Sequence, residues 1–152
     1  MIFLDRTNST PQVNEVLTLV DFEMKLLRHN TQTPAHVVLA LLVRADANPA
    51  SRLLAQYTTD LVTARKFVRA AQEPQTAEIA LVYFSDSMKN VFERALIIAR
   101  QSEVPNQPVR STHLLQAIIE ELDPETDKLF NKLGVYPWHL YRDLKNHDTT
   151  DD

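Results

Sequence analysis

Two histidines stand alone at the mouths of apolar runs, His36 in "QTPAHVVLAL" and His113 in "RSTHLLQAII". A neutral imidazole can serve as a general base or ligate a metal. Neither ring has the company such chemistry needs: nothing in the sequence pairs a nucleophile with it, and no second His or Cys stands at ligand spacing. The expectation for both is structural. A His in the first turn of a helix, beside a capping Thr or Ser, can bond the cap region through one ring nitrogen while its carbon edge packs inward. Burial and the positive helix start would keep that ring neutral. No catalytic residue, metal ligand or cofactor is expected.

Other counts close further routes. Gly134 is the only glycine, so neither a phosphate-cradling G-x-x-x-x-G-K-[ST] loop nor a dinucleotide-binding G-x-G-x-x-G turn can exist in this chain. Cysteine is absent, which removes thiolate chemistry and disulfides and fits a reducing compartment such as the cytoplasm. The 20 acidic and 16 basic side chains give a formal charge of −4, and no dense Lys/Arg run stands out. Nucleic acid is therefore not an expected partner. No window approaches the roughly 18 apolar residues of a spanning helix, and "MIFLDRTNS" lacks the form of a secretory signal, so no membrane partner is expected either. A chain of 152 residues fits one domain.

The elements that must position these residues are helices. Val13, Val16, Leu17, Val20, Met24 and Leu27 recur at three- and four-residue steps and predict a helix from Pro11 to Arg28, with Thr10 as its cap. Thr33 and Pro34 open a second helix running to about Ala45; a short one follows "DANP", and a fourth covers about Asp60 to Gln72. The order then repeats: Ser85 caps a helix carrying Met88, Val91, Phe92 and Ala95, and Ser111 is placed as the cap of the helix holding His113. Asp123 and Gly134 bracket a third helix, and Pro137 starts a fourth. Val13 with Met88, Val16 with Val91, Leu17 with Phe92 and Val20 with Ala95 are each 75 residues apart, and His36 with His113 is 77 apart. That register indicates an internal repeat. The expected fold is all-α, two tandem four-helix repeats packed about a pseudo-twofold axis. Repeat one covers about 9–72, a connector 73–83, repeat two about 84–145, and a flexible acidic tail 146–152. "MIFL" and the alternating Ile79, Leu81 and Tyr83 of the connector are candidates for a small strand pair.

The pieces "STPQVNEVL", "TPAHVVLALL" and "SRLLAQY", repeated as "FSDSMKNVFERA", "STHLLQAII" and "KLFNKLGV", resemble the Clp N-terminal domain, the doubled repeat at the front of Clp-type AAA+ unfoldases. The likeness runs from about Ser9 to Leu144. It implies a docking module that performs no chemistry of its own and binds protein partners: Clp unfoldase or peptidase subunits, adaptors or substrate segments. No ATPase module is present, and Met1 with the acidic end favours a free-standing accessory protein, as in the small Clp proteins of plastids, whose stroma would then be the compartment. The alternatives are the regulatory part of a full unfoldase, a diverged Clp-repeat binding protein outside proteolysis, and an enzyme on a reused helical scaffold.

In Gram-positive members the motif commonly reads Thr-Glu-His, and that Glu, with a Thr at the start of each repeat's first helix, helps recognise phosphorylated arginine. This chain has Ala35 and Thr112 at the two Glu positions, while Thr10 and Ser85 keep the hydroxyls. Phosphoarginine binding is therefore expected to be weak or absent, because the guanidinium loses its charge-assisted partners. Thr10 and Ser85 remain the candidate ligand-contacting residues, with helix capping as their simpler role. Trp138 and Tyr141 are expected to close the core, and Arg65, Lys66 and Arg69 to lie on a solvated helix face.

Overall fold

The computed structural model describes residues 4–102 and 107–146. In chain order the elements are α1 (Pro11–Leu27), β1 (Thr31–Gln32), α2 (Pro34–Val43), α3 (Pro49–Ala55), α4 (Leu61–Ala70), β2 (Tyr83–Phe84), α5 (Asp86–Arg100), α6 (Ser111–Glu120), α7 (Pro124–Leu133) and α8 (Pro137–Asn146).

Each helix begins where a short polar side chain or a proline makes starting cheap. Thr10 Oγ1 accepts the Val13 N–H at 3.3 Å and Ser85 Oγ accepts the Met88 N–H at 3.0 Å. Asn48, Asp60 and Asp123 do the same for α3, α4 and α7. Gly134 ends α7 in the left-handed region at φ 73°. Arg28 ends α1 in the same region at φ 59°, and its guanidinium donates to the carbonyls of Gln75 and Thr76 at 2.7 and 3.1 Å. The first helix thus pins the start of the connector.

Burial sorts the helices into layers. In α2 every residue from Pro34 to Leu42 is buried, which marks the central helix of the first half. In α6, Leu114, Leu115, Ala117, Ile118 and Ile119 are buried in the same way. The packing pairs come as mates: α1 on α2 and α5 on α6, α2 on α4 and α6 on α8, α3 on α6 and α7 on α2, α3 on α8 and α7 on α4. This pairing is the pseudo-twofold arrangement of two four-helix units, sharing one apolar cluster drawn from both.

Several expectations change. α6 starts one residue earlier than predicted: Arg110 holds the cap position, and the fully buried Ser111 instead accepts the Ala50 N–H of α3 at 3.3 Å. Ser111 so caps a helix of the other repeat. The strand at the end of the connector exists, with Tyr83 and Phe84 paired in parallel to Thr31 and Gln32; the expected partner "MIFL" falls, for residues 1–3, outside the described residues. Apart from Asn146, the expected acidic tail also lies outside them, as does 103–106 of the Pro-marked loop. Trp138 does not close the core: it is 59% exposed, edge-on to the half-buried Tyr141 with ring centroids 5.3 Å apart.

Candidate functional site

Two short backbone seams bring the halves together, and both carry the residues singled out by the sequence. Thr10 N–H donates to the Val109 carbonyl at 3.0 Å, and Val109 N–H donates to Asn8 at 2.8 Å. The mate of this seam joins Tyr83 N–H to Asn30 at 2.7 Å and Ser85 N–H to Gln32 at 3.0 Å. Each cap hydroxyl therefore sits beside the start of the other repeat's second helix: Thr10 near Arg110 to Thr112, Ser85 near Thr33 to Ala35. Where the resemblance would place glutamates, Ala35 is fully buried and Thr112 is buried with an unpartnered Oγ1. Both hydroxyls are engaged as caps.

The histidines occupy equivalent places. His36 Nδ1 accepts the Thr33 N–H at 3.0 Å, and His113 Nδ1 accepts the Arg110 N–H at 3.1 Å. Each ring thus takes the part that a Glu plays in a capping box. The sequence missed His29. Its Nδ1 lies 2.9 Å from Nε2 of His36, and both rings are wholly buried. The absence of a partner His, inferred from spacing, is thus corrected: the left-handed turn at Arg28 directs the chain from α1 to α2 so that two rings seven residues apart meet. A second His flanking the same Thr-capped turn was the available signal.

Burial pushes the His36 ring down to about 3, and the neighbouring His29 ring adds to the effect. His29 is lowered by burial as well, against the pull of the Arg69 and Gln72 backbone at the end of α4. The two facing nitrogens are joined by a direct N···N hydrogen bond. Among the described residues no three His, Cys, Asp or Glu side chains converge as a metal site.

Charge is also used internally. Glu23 is only 2% exposed and receives two bonds from Arg65, Nε to Oε2 at 3.1 Å and a terminal nitrogen to Oε1 at 2.7 Å. Arg65 is therefore an internal partner rather than part of a solvated face, which Lys66 and Arg69 do occupy. Glu23 was detectable as the one acid standing within the buried stripe of α1. In the second half Arg94 binds Glu120, which Gln116 also holds at 2.7 Å.

Several large apolar side chains also face solvent. Phe22 and Leu26 on α1 and Leu81, Val82, Tyr83 and Phe84 around β2 are all at least 38% exposed. Between α1 and β2 lies a cleft of about 290 Å³ lined by Leu4, Leu17, Asp21, Gln32, Phe84 and Phe92.

The sequence model of the Clp repeat (R) N-terminal domain family matches residues 8–133. Among solved structures, the N-terminal domain of the caseinolytic protease associated chaperone ClpD from Arabidopsis thaliana superimposes with a TM-score of 0.72. It is 20% identical over 92% of this chain and 96% of its own. A structure described as part of preliminary structural investigations of a malarial protein secretion system gives a TM-score of 0.67. It is 17% identical over 91% and 93% of the two chains. No curated protein sequence matches.

Proposed function

The chain belongs to the Clp repeat N-terminal domain family, and on that premise we propose that it is a non-catalytic docking module of a Clp chaperone-protease system. Its partners would be Clp unfoldase or peptidase subunits, their adaptors or substrate segments, met in the cytoplasm or a plastid stroma. The observation that carries this reading is the set of large apolar side chains left exposed on a molecule that already has a well-filled apolar core. The buried charges and imidazoles bond one another, whereas six large apolar residues of α1 and the connector face solvent. Runs of exposed apolar residues such as Leu81 to Phe84 are a common mark of protein interaction surfaces. The absence of any phosphate-binding loop fits a role without nucleotide hydrolysis. Among the described residues no helix is long and apolar enough to cross a membrane.

The test is affinity capture from native extract with the full chain as bait, identifying retained proteins by mass spectrometry. Enrichment of Clp peptidase or unfoldase subunits, lost with Tyr83→Asp, supports the reading. Retention of other proteins with no Clp subunit overturns it.

A further inference from the structure

The cleft between α1 and β2 has apolar walls, one carboxylate and one carboxamide whose oxygen is unpartnered. Leu4, Leu17 and Phe92 line it, with Phe84 standing edge-on to Phe92 at a centroid distance of 5.5 Å. Its one ionisable group is Asp21, which forms no close ion pair among the described residues, Lys25 one turn along α1 acting on it only through space. Gln32 is 4% exposed, its amide nitrogen reaches only Met24 Sδ at 3.9 Å, and its Oε1 is buried without a partner. A buried acceptor left unmade is costly, so a donor arriving there gains more than an ordinary surface bond would.

The adjacent strand supplies a track. Tyr83 and Ser85 turn their N–H groups toward Asn30 and Gln32, so the alternation of a strand turns those of Phe84 the other way, where no third strand lies among the described residues. Edge strands of this kind accept an added extended segment.

We propose that this cleft binds a basic side chain, Arg or Lys, carried by an extended peptide segment laid along the outer edge of β2. The aliphatic stem runs between Leu17 and the two phenylalanines, and the cationic head meets the Asp21 carboxylate and Gln32 Oε1. The volume suits one long side chain rather than a cofactor. Charge fixes the choice: a neutral apolar side chain would fill the walls but leave both acceptors unanswered, and an acidic one would face Asp21. An aromatic face beside the head adds a cation–π contribution.

The proposal rests on the docking reading and names what one part of that surface takes. Its test uses the full chain and a capped octapeptide of alternating Val and Thr with one central Arg, alongside versions carrying Lys, norleucine or Glu at that place. Anisotropy gives the affinity, and amide chemical shifts give the location. The Arg and Lys peptides should bind with shifts centred on Asp21, Gln32 and Phe84, and the norleucine peptide about tenfold more weakly. Asp21→Asn, at an exposed position of α1, should remove that difference while leaving the fold intact by circular dichroism. Equal binding of Arg and norleucine peptides, an unchanged ratio in Asp21→Asn, shifts confined to another face, or no binding overturns the proposal. Clp capture that survives Asp21→Asn would leave the docking module standing without this cleft. Cleft binding without Clp capture would separate the two the other way.

Discussion

Nε2 of His36 donates to Nδ1 of His29 across 2.9 Å, and the bond can run in no other direction. Thr33 N–H already occupies His36 Nδ1, which places the His36 proton on Nε2. A further proton on His29 would set two hydrogens between the facing ring nitrogens, and one on His36 would turn Nδ1–H against the Thr33 N–H.

Stability should therefore fall as the solution is acidified. The folded-state affinity of His36 for a proton is depressed to about 3, below the ordinary value of 6.5 that the unfolded chain would show. The unfolded state binds more protons through that window, so this contribution is complete above about pH 6.5 and is lost as pH falls toward 3. Urea denaturation between pH 7 and pH 5 should show a loss approaching about 1.4 kcal/mol per pH unit for each proton involved. A His36→Gln variant, though less stable at pH 7, should show a flatter profile. An equal slope in both proteins would remove the imidazole pair as the cause.

The Glu23 and Arg65 pair makes an asymmetric prediction. Arg65→Ala leaves a carboxylate buried and unanswered and should cost about 3–5 kcal/mol, whereas Glu23→Leu with Arg65→Met together should be close to neutral. Chemical denaturation of the single and double variants checks this. A loss of less than about 1 kcal/mol for Arg65→Ala would put the pair in the class of exposed ion pairs.

Gly134 isolates a backbone effect. A methyl group there would meet nothing within 4 Å, so Gly134→Ala should be penalised only for its φ of +73°. The expected loss is about 1–2 kcal/mol, with Gly134→Asn milder because Asn tolerates that region better. Thermal unfolding of the two variants distinguishes strain from packing: equal losses would point away from φ.

Phosphoarginine should bind weakly or not at all. The cap hydroxyls of Thr10 and Ser85 are committed to Val13 and Met88, and Ala35 and Thr112 supply no carboxylate for a guanidinium. Calorimetric titration with free phosphoarginine should give no saturable isotherm. Tight saturable binding would mean that other groups replace the two missing acids.

Periodicity and caps were enough to place the helices, because a stripe such as Val13, Val16, Val20 and Met24 follows from local spacing. The 75-residue register carried the doubling for the same reason. What spacing could not supply were meetings made by the chain's return. His29 reaches His36 only because the left-handed Arg28 turns the path between α1 and α2, and Ser111 abandons its expected cap because α3 of the other half offers it the Ala50 N–H. Trp138 reads as a core residue by type, yet Pro137, Leu140 and Leu144 already fill the inward face of α8. Thr10 and Ser85 were recognisable as caps, but their place beside the opposite repeat depends on the two seams.

Those seams also bear on how the chain is made. Synthesis delivers Thr10 early and Val109 late, yet the two must bond before the start of α1 is sealed. Ser111 likewise arrives long after the Ala50 it serves. The first four helices therefore emerge from the ribosome as a half that cannot close on itself, with the apolar surface of α2 awaiting α7. Domains generally complete folding as units, and contacts between distant residues form slowly. Completion of the first half thus waits for residues of the second, and a nascent chain stalled before Val109 should remain open to proteases and chaperones.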